Sequence, residues 1–62
     1  MITRKEIAHQ VAQVAPMTAD RYDQIAVIKR QLRDKGYKLL STDRETIDGI
    51  LDILFYEYGY QA

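Results

Sequence analysis

Apolar residues recur every three or four positions in three stretches of the chain, with helix-stopping residues between them. The first stretch holds Ile7, Ala8, Val11, Val14 and Ala15. That spacing puts them on one face of a helix, with Glu6, His9, Gln10 and Gln13 elsewhere on the wheel. Thr3-Arg4-Lys5-Glu6 stands in front. It fits the capping box, in which threonine and the glutamate three residues later satisfy each other's unpaired backbone N–H groups. Pro16 stops the helix, because the residue before a proline is pushed out of the α region. The pattern predicts a helix over about residues 4–14.

In the second stretch Tyr22, Ile25, Ile28 and Leu32 make the apolar stripe, with Ala26 at its border. Thr18 is the expected N-cap, and Asp20 suits the first turn, where the helix dipole favours an acid. Gly36 follows Lys35 and reads as the left-handed residue just past the helix end, with Tyr37 supplying the accompanying apolar contact. A helix over about 19–35 follows. In the third stretch Thr42-Asp43-Arg44-Glu45 repeats the capping box and opens a helix over about 43–58. Ile47, Ile50, Leu51, Leu54 and Tyr58 form its central stripe, widened by Phe55 on one side and Ile53 on the other. Glu45, Asp48 and Asp52 share the opposite face with Tyr56.

Gly49 inside this helix costs about 1 kcal/mol relative to alanine. It is either tolerated or lets another helix come close. Gly59 is a natural terminator. Lys38-Leu39-Leu40 is too short to assign. It reads as a connector whose leucines plug the core, with a short extended segment as the alternative. Residues 55–60 are also β-prone, so a hairpin-like wing with Tyr37–Leu40 is the alternative to a helical end.

The elements predict an all-α, compact three-helix domain in one unit over residues 1–62, orthogonal or up-down in arrangement. The third stretch is unusually rich in apolar side chains: Ile47, Ile50, Leu51, Ile53, Leu54, Phe55, Tyr56, Tyr58 and Tyr60. A chain this short buries only about 60% of the surface its unfolded form exposes. The excess therefore predicts a partner, with a second copy and completion of the fold by dimerisation among the options.

Composition narrows the chemistry. Without cysteine there is no disulfide, no thiolate metal site and no cysteine nucleophile. The basic start Met1–Lys5 is not followed by a signal-length apolar run, and no run approaches the roughly 20 residues that span a bilayer. The expected location is the cytoplasm. Net charge is zero but unevenly placed. Residues 1–42 carry eight Lys/Arg against four Asp/Glu, a balance of +4, and residues 43–62 carry one against five, a balance of −4. Such a division either draws helices of one chain together or forms a dipolar surface that pairs with, or steers, another molecule. A neutral total disfavours strong non-specific nucleic-acid binding.

Catalytic signatures are lacking. Glu6-Ile7-Ala8-His9 has the E-x-x-H spacing of di-iron bundles, but a site of that kind needs a second motif and two more glutamates, whereas the chain has one histidine. Asp48 and Asp52 alone make a weak cation site. Ser41 stands where a cap or turn would use it, and three short helices rarely make the cleft that a carboxylate pair needs for acid–base work. No enzymatic activity, metal or cofactor is expected.

Binding is better represented. Phe55, Tyr56, Tyr58 and Tyr60 place four aromatics within six residues, and tyrosine is favoured at interfaces because its ring is buried while its hydroxyl stays wet. Of these, Phe55 and Tyr58 read as core residues, with Tyr56 and Tyr60 turned outward. Lys29, Arg30, Arg33, Lys35 and Lys38 form a basic cluster suited to an acidic face or to phosphates, or to capping the helix dipole in solvent. The candidate partner-binding residues are therefore Phe55, Tyr56, Tyr58, Tyr60, Lys29, Arg30 and Arg33.

The reading is a small non-catalytic interaction protein, a regulator or inhibitor that binds another protein or itself. The size suits a compact genome such as a phage or mobile element. The alternatives are a DNA-binding regulator of helix-turn-helix type and a structural subunit of a larger assembly. Lys5-Glu6-Ile7-Ala8, followed by a second helix ending in Ile28-Lys29-Arg30-Gln31-Leu32, faintly resembles a helix-turn-helix pair without matching the family. The two helices lack its tight glycine-containing turn, and Asp20 and Asp23 would meet phosphate at the recognition end.

Overall fold

The first helix begins and ends where its sequence says it should. In the computed structural model, which describes residues 3–36 and 44–61, α1 spans Arg4–Val14, α2 Arg21–Asp34 and α3 Arg44–Tyr58. Thr3 Oγ1 accepts the N–H of Glu6 at 3.2 Å, realising the threonine half of the capping box. Ala15, held before Pro16, is extended at φ −101° and ψ 135°. Its N–H still reaches the Val11 carbonyl at 2.8 Å.

The second helix starts two residues later than its pattern predicts, and Asp20 rather than Thr18 caps it. Asp20 Oδ1 accepts the N–H of Asp23 at 2.8 Å. The N–H of Ala19 bonds back to the Pro16 carbonyl at 2.9 Å, so Pro16–Ala19 form a turn that consumes the residues assigned to the first helical turn. At the other end Gly36 adopts φ +87°, the left-handed conformation expected of it. Tyr37, the Lys38-Leu39-Leu40 connector and the Thr42-Asp43 start of the second capping box lie outside the described residues.

The third helix runs unbroken to Tyr58, so the β-prone segment is helical through that residue, and no strand occurs among the described residues. Gly59, at φ +75°, then turns the chain, and the N–H of Tyr60 reaches back to the Leu54 carbonyl at 3.0 Å.

One core joins all three helices. Ile7, Ala8, Val11 and Ala15 meet Ile28 and Leu32 of α2 and Ile50, Leu51 and Leu54 of α3, with Tyr60 at one end. Arg4 lies against Gly49, His9 approaches Tyr58, and Ala15 meets Tyr60. These partners advance together along both helices, so α1 and α3 point the same way and α2 returns against them. Two stripe residues depart from expectation. Val14 is exposed because the buried arc of α1 centres on Ala8, Val11 and Ala15, leaving it at the edge of the last turn. Tyr22 is exposed because the inward line of α2 is Gln24, Ile28 and Leu32, at a strict i, i+4, i+8 spacing.

Gln24 occupies an apolar-looking position by virtue of its amide. It is 1% exposed, and its Nε2 donates to the carbonyls of Ala19 at 2.8 Å and Gln61 at 2.9 Å. Gln61 Nε2 in turn donates to the Thr18 carbonyl at 3.0 Å. Tyr60, 3% exposed, donates its hydroxyl to the Ala15 carbonyl. Together these bonds pair carbonyls that a helix end and a tight turn leave without intrahelical partners. Burial raises the Tyr60 phenol above its ordinary value of 10.0.

Three outcomes follow. Tyr60→Phe should lower the unfolding free energy by about 1–3 kcal/mol in urea titrations, because the Ala15 carbonyl loses its buried donor. The raised phenol also sets a sign: stability is intact below pH 10.0 and falls as pH rises beyond it, since the unfolded chain gives up that proton first. The alkaline fall should be shallower in Tyr60→Phe. Gly49→Ala should stabilise by about 0.5–1 kcal/mol. Its new Cβ would meet only the far end of the Arg4 side chain, at 2.9 Å from Nη1 and 3.1 Å from Cδ, and that arm can swing away.

Candidate interaction surface

Two aromatic rings of α3 remain outside once the fold closes. Phe55 and Tyr56, in the last turn of α3, are 43% and 78% exposed, and their rings meet edge to face with centroids 4.8 Å apart at 79°. Tyr58 is half-buried against the core, its hydroxyl 3.5 Å from His9 Nδ1. The fold therefore exchanges two expected positions. Tyr60, predicted to face outward, is in the core because the left-handed turn at Gly59 takes it off the helical wheel and folds it beneath the α1–α2 connection. Phe55, predicted as core, opens onto a cleft beside α2. Seven of the nine apolar side chains of the third stretch are buried or packed on the core within one copy. The apolar excess thus reduces to this one aromatic pair.

Beside the pair lies a shallow cleft of about 200 Å³, with Leu51 and Gln24 among its lining residues and Arg21, Asp52 and Gln61 around Phe55 and Tyr56. Arg21 comes from the first turn of α2, placed there by the Asp20 cap. It reaches Asp48 of α3 at 3.7 Å, and Arg44 approaches the same carboxylate at 3.9 Å. All three side chains are half exposed or more, so each pair contributes under about 1 kcal/mol. The cleft offers an apolar surface with a cation and an anion beside it, which suits a partner's side chain.

Lys29, Arg30 and Arg33 stand exposed on α2. They share the outward face of that helix with Ala26 and with Tyr22, which is 87% exposed. Lys35 is exposed beyond them, and Lys38 lies outside the described residues. From Gln24 in the cleft to Arg33 is about 14 Å along the helix axis, at 1.5 Å per residue. Lys29 and Arg30, five and six residues from Gln24, lie about 8–9 Å along the same axis, so the basic group occupies the middle and far end of α2, away from the cleft. The two candidate sets do not form one patch. Neither does the basic row fold onto the acidic row of its own chain: among the described residues, the ion pairs of α3 use Arg21 and Arg44.

Comparison with protein-family models, with curated proteins and with solved structures gives no match. The surface must therefore be read from its own chemistry. No group of three or more His, Asp or Glu side chains among the described residues is placed to hold a metal ion. His9 instead faces solvent beside Gln13, whose Nε2 is 3.3 Å from His9 Nε2. None of the described helices is long and apolar enough to cross a membrane.

Sequence reasoning named Phe55 and Tyr56 but missed Arg21, Gln24, Asp52 and Gln61 beside them. The available signal was Asp20, a better cap than Thr18 for a helix whose third residue is Asp23. Starting α2 there turns Gln24 inward and Tyr22 outward.

The exchange of Tyr60 and Tyr56 is directly measurable. Tyr60→Ala should cost about 3–5 kcal/mol of stability, as removal of a buried aromatic does. Tyr56→Ala should stay within about 0.5 kcal/mol of wild type, as an exposed substitution does. Paired urea titrations would read both.

Proposed function

We propose that the protein is a non-catalytic interaction module, a regulator or inhibitor, that binds another macromolecule through the corner formed by Phe55 and Tyr56. One observation carries the reading. In a chain that covers nearly all of its large apolar side chains in α3, two paired aromatics stay open at a cleft with Arg21 and Asp52 beside it. Exposed aromatics flanked by polar groups are the common makings of an interface hot spot. The basic face of α2, with Lys29, Arg30 and Arg33, adds steering and rim contacts rather than buried anchors. Tyr58 and Tyr60, one half-buried beside His9 and one within the core against Ala15, do not belong to the open corner.

The DNA-binding alternative gains no support from α2. Its first turn presents Asp20 and Asp23 where a recognition helix would meet base edges and phosphates.

A photoreactive phenylalanine analogue at position 55 tests the proposal in living cells. A discrete crosslinked adduct should appear there, be absent when the analogue replaces the exposed Gln13 of α1, and vanish when Tyr56→Ala is added. Binding lost by that substitution should amount to about 1–3 kcal/mol. Equal labelling from positions 55 and 13 would sink the reading.

A further inference from the structure

The outward faces of α2 and α3 are complementary to each other, and the geometry points to a second copy of this chain as the molecule that docks there. This inference rests on the interaction-module reading and names its partner. On α2 the exposed line runs Tyr22, Ala26, Lys29, Arg30, Arg33 from the N-terminal end. On α3 it runs Glu45, Asp48, Asp52, Tyr56, in which Asp48 is half-buried and the others are exposed. Eleven residues separate Tyr22 from Arg33, and eleven separate Glu45 from Tyr56. Each line is therefore about 16 Å long at 1.5 Å per residue. Laid antiparallel, they come into register: Tyr22 opposite Tyr56, Ala26 opposite Asp52, Arg30 opposite Asp48 and Arg33 opposite Glu45. The small Ala26 lets the helices approach, an aromatic pair closes one end, and opposite charges meet at the other.

Within one chain these groups do not meet. Among the described residues Lys29, Arg30, Arg33, Glu45 and Asp52 form no ion pair, and Asp48 is shared only by Arg21 and Arg44. An acidic partner would match α2 alone, and a basic one α3 alone. A second copy satisfies both lines at once. The symmetry allows it, because α2 runs against α3. A two-fold axis along the helix direction sets α2 of each copy antiparallel to α3 of the other, as in a four-helix arrangement with alternating directions. Two helix-on-helix contacts of this length fall at the low end of specific interfaces. The dimer is therefore concentration-dependent and, being rich in charge, salt-dependent.

The test is a charge exchange read by sedimentation equilibrium at low salt, with circular dichroism confirming the fold. Wild type should be dimeric at high protein concentration. Arg33→Glu and Glu45→Arg should each weaken self-association by about tenfold or more, since each places like charges together at both symmetric contacts. Mixed in equal amounts, the two variants should form a dimer with wild-type affinity. The carboxylate introduced at position 33 of one copy then faces the guanidinium introduced at position 45 of the other, and the second contact keeps its original Arg33 and Glu45. Three results overturn the inference: a wild-type chain that stays monomeric, single variants that associate like wild type, or a mixture that remains as weak as its components. A monomeric wild type would remove the second copy as partner and leave the Phe55 corner to be decided by its own crosslinking result.

Discussion

The short segment Gly59–Gln61 holds the fold together. Three helices of this length make few stabilising contacts alone, because isolated helices of 11 to 15 residues are marginal in water. Their association needs a cross-tie. Gly59 provides the bend, Tyr60 enters beneath the α1–α2 connection, and Gln61 exchanges hydrogen bonds with Gln24 and Thr18. The bonds join residues 37 to 45 apart in sequence. A tie over that separation converts three local elements into one cooperative unit. It also meets the obligation that every buried carbonyl find a donor.

What could be read in advance divides along a physical line. Period and punctuation set the three helices: the capping threonine at position 3, the proline at 16 and the glycines at 36 and 59 all act locally. These signals depend only on a few neighbours, and they survive tertiary context. The residues that were misplaced are those whose position depends on distant atoms. Gln24 is polar by composition and buried because two carbonyls from elsewhere reach it. Tyr60 looks like part of an exposed tail until a left-handed glycine reverses it. Tyr22 follows from the competition between two adjacent caps, Thr18 and Asp20, which a one-dimensional pattern does not resolve. Of the candidate site, the aromatic pair and the three cations of α2 were legible from side-chain chemistry. Their separation along the molecule was not, because it depends on which part of α2 lies beside the end of α3.

The separation of charge acquires a spatial meaning in the fold. Cations line one outward helix face and acids line another, while the ion pairs among the described residues are exposed and weak. Charge contributes little to holding this chain folded and much to what it presents. Stability comes from the apolar seam and the terminal tie, and the charged faces stay turned outward.

The pairing of Arg4 with Gly49 and of Ala15 with Tyr60 has a consequence for how the chain can be joined to others. Residue 3 and residue 61 leave from opposite ends of α1, about 17 Å apart by helical rise. Compact domains often bring their ends together, which makes circular permutation and insertion into a host loop easy. Here a direct splice would have to run the length of α1, some five or six extended residues. Copies strung end to end would instead extend in a line, each unit passing the chain from one pole to the other.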